Sequence, residues 1–130
     1  MGLLLDTHIF LWAAALPQRL AKATRSAIED PATEVFVSVA TCWEMAIKQA
    51  RGRLDFPLSR LDETIQSLGF SVLPITLAHA LAAGALPRHH ADPFDRMLVA
   101  QAQLEGMTLA TDDAHVRRYK VPILGGRRPR

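Results

Sequence analysis

The stretch Leu3-Leu4-Leu5-Asp6-Thr7-His8 sets three consecutive leucines directly against a carboxylate. A run with no polar face suits a strand covered on both sides, as in a parallel sheet, rather than one with a wet face. The acid that ends it falls at the rim of a core, where an unpaired charge is costly. Asp6 is therefore the residue in the chain hardest to explain by structure alone.

The same arrangement recurs outward from this point. Strand-like segments are expected at 3–6, 34–38 (EVFVS), 70–75 (FSVLPI), 107–111 (MTLAT) and 121–124 (VPIL). Helical patterns fall between them, at about 8–15, 19–29, 39–51, 58–68, 76–84, 93–105 and 113–119, with Pro17, Gly52, Gly69, Pro87 and Gly106 at their ends. Alternation of apolar strands and helices predicts an α/β fold around a central parallel sheet of four to five strands. Ligands in such sheets bind outside the carboxyl ends of the strands. Asp6 lies there, as do Asp112 and Asp113 after the fourth strand, Glu44 in the helix after the second, and Asp92 and Asp95 at the helix leading to the fourth.

Carboxylates gathered on one edge repel one another, so a site that keeps several ionised must hold a cation or protons. Hard oxygen ligands select a hard cation, and Mg²⁺ or Mn²⁺ is the expected occupant. Each acid but Asp6 also admits a plain helix-start explanation. Asp92-Pro93-Phe94-Asp95 fits an N-cap, a proline at N1 and an acid at N3, and Thr41 to Glu44 fits a capping box. Only one member of the Asp112-Asp113 doublet is expected to face inward. The histidines lack the spacing of a helical zinc site, and His89 and His90, close to the acids in sequence, are read as loop surface, with contact to a phosphate or to a water as the alternative. Trp12 and Trp43 are expected in the core or at an interface.

At 130 residues the chain fits one domain, taken as 1–124, followed by a basic tail at 125–130. No apolar stretch reaches the roughly 20 residues of a membrane span, and no secretory signal is visible, so a cytoplasmic protein is expected. The single cysteine, Cys42, excludes an internal disulfide and a thiolate metal cluster. Formal net charge is only +2. The arginines nevertheless cluster, at Arg51 and Arg53, at Arg117 and Arg118, and in the tail, and such patches suit a polyanion.

Set in order, these segments resemble a PIN-domain ribonuclease of the VapC toxin type. The motifs are LLLDTH, SVATCWEMAIKQARGRL (38–54), LPIT (73–76), HHADPFDRMLVAQA (89–102) and TLATDD (108–113). The resemblance runs nearly end to end and implies a PIN-like three-layer sandwich. It implies catalytic, metal-holding acids at Asp6, Glu44, Asp95 and one of the Asp112-Asp113 pair, Asp113 being the better match to a Thr-x-Asp pattern. Asp92, Arg96 and Thr111 would support them, by ordering the helix start, pairing with an acid or phosphate, and lending a hydroxyl. One or two Mg²⁺ or Mn²⁺ ions would be held directly by Asp6 and Asp95, and partly through water by Glu44 and Asp113. Arg51, Arg53, Arg117 and Arg118 would steer RNA. A cognate VapB-type antitoxin and a homodimer are implied as partners, with the helices of Trp12 and Trp43 as antitoxin surfaces.

Two other enzyme classes fit poorly. A haloacid-dehalogenase-type phosphatase needs a second Asp two residues after the first, where this chain has His8, and a response-regulator receiver needs an Asp after its third strand, where it has LPIT. The alternative from another class is a non-catalytic PIN-like partner or nucleic-acid-binding module.

Overall fold

In the computed structural model, residues 1–125 are described. Five parallel strands form one sheet in the order β3-β2-β1-β4-β5: β1 Gly2–Leu5, β2 Glu34–Ser38, β3 Ser71–Leu73, β4 Thr108–Ala110 and β5 Ile123–Leu124. The helices are α1 Thr7–Ala15, α2 Lys22–Glu29, α3 Val39–Ala50, α4 Leu61–Ser67, α5 Leu77–Ala85 and α6 Pro93–Glu105. The expected α/β architecture is the one observed, and the basic tail lies, beyond Gly125, outside the described residues.

Alternation along β1 explains why three leucines stand together. Successive side chains point to opposite faces of a sheet. Leu3 and Leu5 enter a core with Ile9, Phe10, Val35, Val37, Met45 and Ile65. Leu4 enters a second core with Leu98, Val99, Ala102, Leu109 and Tyr119. All three leucines are fully buried because helices cover both faces.

Several boundaries differ from the sequence reading. The segment 19–29 begins with a 3-10 turn at Pro17–Arg19 and only then becomes α2, and 58–68 likewise opens with a 3-10 turn at Leu58–Arg60. β3 stops at Leu73 because Pro74 has no N–H to give a ladder. The helix expected at 113–119 is replaced by turns and a 3-10 turn at Val116–Arg118.

A buried polar link fixes α6 to the sheet. Gln101, with no exposed surface, lies 2.6 Å through Oε1 from the Ser38 hydroxyl at the end of β2 and donates through Nε2 to the carbonyl of Pro74 at 3.2 Å just past β3. Its Nε2 also approaches His79 Nδ1 at 3.3 Å. The Thr76 amide donates to that same nitrogen at 3.0 Å, which makes Nδ1 an acceptor and puts the His79 proton on Nε2, facing Glu105 Oε2 at 2.8 Å. Every heteroatom of this buried set is used.

Candidate metal centre

From β1 the chain builds β2 and β3 to one side, whereas β4 and β5 lie on the other. The sheet thus has a switch point between β1 and β4, and a crevice opens beyond their carboxyl ends. Leu5 pairs with Ala110, so Asp6 and Thr111 leave the sheet side by side. The Asp6 amide still donates to the carbonyl of Ala110 at 3.0 Å.

Asp6 caps α1, its Oδ1 accepting from the Ile9 amide at 2.8 Å, and its carboxylate also takes a hydrogen bond from the Thr111 side chain. Burial nevertheless pushes its pKa up to about 6 against these bonds, with Asp112 adding repulsion. Asp92 caps α6, accepting from the amides of Phe94 at 2.8 Å and Asp95 at 3.2 Å. Asp95 is pushed up to about 7, first by burial and then by the charge of Asp92, with Asp6 and Asp113 contributing.

Asp6, Glu44, Asp92, Asp95, Asp112 and Asp113 line one cavity of about 360 Å³, together with Thr7, His8 and Lys48. All the acids singled out in the sequence therefore converge. Their structural surroundings differ from expectation in three respects. The chain after β4 turns at once, the Asp113 amide donating to Thr111 Oγ1 at 3.0 Å, so Asp112 and Asp113 do not alternate between faces and both reach the cavity. The capping box from Thr41 to Glu44 does not form, because α3 starts earlier, with Ser38 as its N-cap accepting from the Ala40 amide. Glu44 is then free to reach inward, where its Oε1 accepts from Thr7 Oγ1 at 2.5 Å and its Oε2 pairs with Lys48 Nζ at 2.8 Å. Arg96 donates instead to the carbonyls of Ala83, Leu86, Pro87 and His90 and to the Tyr119 hydroxyl, pinning the loop before α6. Among the described residues it enters no ion pair with an acid.

His90, read from sequence as loop surface, lies within the cluster. Its Nε2 is 2.9 Å from Asp95 Oδ2 and 3.1 Å from Asp113 Oδ2. Its ring stacks on His115, with centroids 5.0 Å apart. Desolvation works against the imidazolium, but Asp95 and Asp113 outweigh it and hold the pKa above the ordinary histidine value. For Asp113 burial is likewise outweighed, here by hydrogen bonds from the His115 amide and ring and by His90, so its pKa is lowered. The signal for His90 in the sequence was its place two residues before Asp92, and that for Lys48 was the i, i+4 spacing from Glu44.

The donor set fits a divalent cation. Ligand atoms of His90, Asp95 and Asp113 lie within 4.8 Å of one another, and the two carboxylates draw in the imidazole where they would draw in a cation. Two carboxyl groups in the same cavity are raised, chiefly by burial and also by neighbouring acids, as is common at functional sites.

Of the basic residues, Arg51 and Arg53 line a neighbouring cavity. Arg117 donates to the carbonyl of Gly125, and Arg118 is exposed in the last 3-10 turn. Trp12 packs partly buried against the first core, whereas Trp43 is 60% exposed.

This parallel sheet with an acid-lined switch point is that of the PIN domain family, whose match spans residues 3–122, and the chain belongs to that family. It is 36% identical over 126 residues to Ribonuclease VapC22 of Mycobacterium tuberculosis (strain ATCC 25618 / H37Rv), covering 92% of each chain. Its fold matches VapBC2 from Rickettsia felis, bound to a DNA fragment from its promoter, with a TM-score of 0.71 at 13% identity, over 95% of this chain and 98% of that one. It also matches FitAcB from Neisseria gonorrhoeae, with a TM-score of 0.64 at 20% identity, over 95% and 96% of the two chains. A toxin-antitoxin complex from Klebsiella pneumoniae matches with a TM-score of 0.65 at 18% identity, over 94% and 95%.

Proposed function

We propose that this chain is an endoribonuclease toxin of a toxin-antitoxin pair, hydrolysing RNA phosphodiester bonds with Mg²⁺ or Mn²⁺. The observation that carries the reading is the convergence of Asp6, Glu44, Asp95, Asp112 and Asp113 on one cavity at the sheet's switch point. Kinship to a ribonuclease at 36% identity supports the same activity.

When bound, the cation supplies Lewis-acid polarisation of the scissile phosphate and lowers the pKa of water. Asp6, Asp95 and Asp113 would hold it, with Asp112 as a further oxygen donor. Glu44 has both carboxylate oxygens engaged, by Thr7 and Lys48, which suits contact through water. Thr111 orients Asp6. Asp92 positions Asp95 by capping its helix. Lys48, on the rim, faces the approaching polyanion. No side-chain nucleophile is needed, since the attacking group is water.

The partner would be a VapB-type antitoxin, as the structural neighbours are toxin-antitoxin complexes, with the surfaces of α1 and α3 as its seat. A homodimer is supported by Leu77 and Leu81, exposed one turn apart on α5. Among the described residues no helix is long and apolar enough to cross a membrane, which is compatible with a cytoplasmic site of action. We take 1–124 to be one domain. The non-catalytic alternative is disfavoured because every acid position is filled.

The test is cleavage of a mixed tRNA, rRNA and mRNA pool with Mg²⁺, Mn²⁺ or EDTA, beside a folded Asp6→Asn/Asp95→Asn variant. EDTA-sensitive cuts absent from the variant are expected. Intact RNA with metal-loaded, antitoxin-free protein overturns the reading.

A further inference from the structure

The cavity between the second half of α3 and the start of α6 has the chemistry of a nucleotide seat. It measures about 470 Å³, within the range of about 300–1,000 Å³ usual for sites that enclose a small-molecule-sized group. Ile47, Lys48, Arg51, Arg53, Pro93 and Phe94 line it. It shares Glu44, Lys48 and Asp92 with the acid cavity, so the two adjoin.

Local structure explains how three cations come together there. Glu44 and Lys48 on α3 and Arg51, its C-cap, stand at i, i+4 and i+7, toward one side. The helix then ends in a Schellman motif, with Gly52 at φ +69°, the Gly52 amide donating to the carbonyl of Gln49 and the Arg53 amide to that of Lys48. That reversal brings Arg53 back beside Lys48. Lys48 is paired with Glu44, but neither Arg51 nor Arg53 enters an ion pair among the described residues. Two guanidinium groups thus border an acid cavity that would itself repel a polyanion.

The aromatic component is equally placed. Phe94 lines the cavity and meets Trp43 edge-on, with ring centroids 5.3 Å apart and planes at 73°. Trp43 is 60% exposed, an unusual position for the largest apolar side chain, and it packs into neither core. Aromatic rings beside arginines on a path to a phosphate-cleaving centre are the components of a single-strand binding track, in which bases stack and phosphates are neutralised.

We propose that this cavity is a subsite for the nucleotide flanking the scissile phosphate of a single-stranded RNA, its base stacking on the Phe94-Trp43 pair and its phosphate meeting Arg51 and Arg53. The inference rests on the nuclease reading above. It assigns to this pocket the contacts that fix where the strand lies and which base stands next to the cut.

The test uses the full chain without antitoxin and a fluorescein-labelled, mixed-sequence 20-nucleotide RNA. Binding is read by anisotropy in an Asp6→Asn background, and cutting in the otherwise native protein. Trp43→Ala and Phe94→Ala should each weaken binding by about 10-fold or more with the salt dependence unchanged. Arg51→Ala and Arg53→Ala should each lower the slope of log affinity against log salt by about 0.7. In cutting, the aromatic variants should raise KM more than they lower kcat and broaden the choice of cut position. A wild type that cuts while all four variants bind and cut as it does overturns the subsite and leaves the nuclease reading standing. So does RNA binding unchanged in variants that have lost inhibition by an antitoxin, which would make the pocket a protein seat. A wild type that cuts nothing defeats the nuclease reading and the subsite with it.

Discussion

The imidazole Nε2 of His90 stands 2.9 Å from Asp95 Oδ2, so the acid with the most strongly raised pKa in the cavity is partnered by a histidine from the loop just before its own helix. The contact places a positive group where a cation is expected. Charge-assisted hydrogen bonds of this kind contribute about 1.5–3 kcal/mol. His90→Ala should therefore destabilise the metal-free protein by about 1.5 kcal/mol or more, and Mn²⁺ should restore most of the difference. Thermal unfolding in EDTA and in Mn²⁺ measures both, and an unchanged EDTA melting temperature would show that the bond carries no stability.

Asp6 predicts the opposite sign. Its carboxylate is buried and its pKa is raised to about 6, so the ionised form opposes folding in the metal-free state. Asp6→Asn should raise the metal-free melting temperature while lowering RNA cleavage by about 10²-fold or more, the scale of losing one charge-stabilising group at a reacting centre. Loss of both activity and stability in this variant would instead mark Asp6 as a structural cap.

The pH dependence follows from the same groups. Asp6 at about 6 and Asp95 at about 7 bind protons more tightly folded than unfolded, the ordinary value being 3.8. Between about pH 4 and 7 the native state therefore carries more protons, and the stability of the metal-free protein should fall as pH rises. The rise at Asp6 from 3.8 to about 6 corresponds to roughly 3 kcal/mol across that window. His90, raised above its ordinary value, acts in the same direction, whereas the lowered Asp113 acts only in the acid range below it. Protons and metal compete, so Mn²⁺ affinity by calorimetry should weaken from pH 8 to pH 6. Affinity constant over that range would contradict the assignment of Asp6 and Asp95 as ligands.

Arg96 is a fastener, and lysine should not replace it. Its two terminal nitrogens serve four carbonyls and the Tyr119 hydroxyl, a fork that a single ammonium cannot reproduce. Arg96→Lys should cost about 2 kcal/mol by denaturant unfolding and speed hydrogen exchange in residues 86–92. Native-like exchange there would remove the fastener role.

Gln101 is the polar residue whose removal should be felt most by the fold. Gln101→Leu leaves the Ser38 hydroxyl and the Pro74 carbonyl buried without this partner and should destabilise by about 2–3 kcal/mol, with little change in metal affinity. A melt within error of wild type would mean that water replaces the amide.

Periodicity carried much of the fold in the sequence. Leu3-Leu4-Leu5 has no polar face, so it had to be covered twice, and helices had to lie between the strands. Strand-end and helix-start positions placed the acids on one edge, which is why Asp6, Glu44, Asp92, Asp95 and the Asp112-Asp113 pair could be named before any geometry, whereas the choice of Asp95 over Asp92 came from the family resemblance. Local rules failed where two local solutions compete. Thr41 and Glu44 satisfy a capping-box pattern, but Ser38 caps α3 three residues earlier, and that shift turns Glu44 into the cavity.

What the sequence by itself determined is the class of layer architecture and the chemical kind of site, because burial period and charge position are properties of neighbouring residues. Only the tertiary structure decided the strand order β3-β2-β1-β4-β5, which sets Asp6 beside Thr111 although 105 positions separate them in the chain. It alone brought His90 to Asp95 and Asp113, turned both Asp112 and Asp113 inward, and closed Arg96 on a loop instead of an acid. These outcomes depend on distances between side chains remote in sequence, and such distances are fixed by how the layers pack.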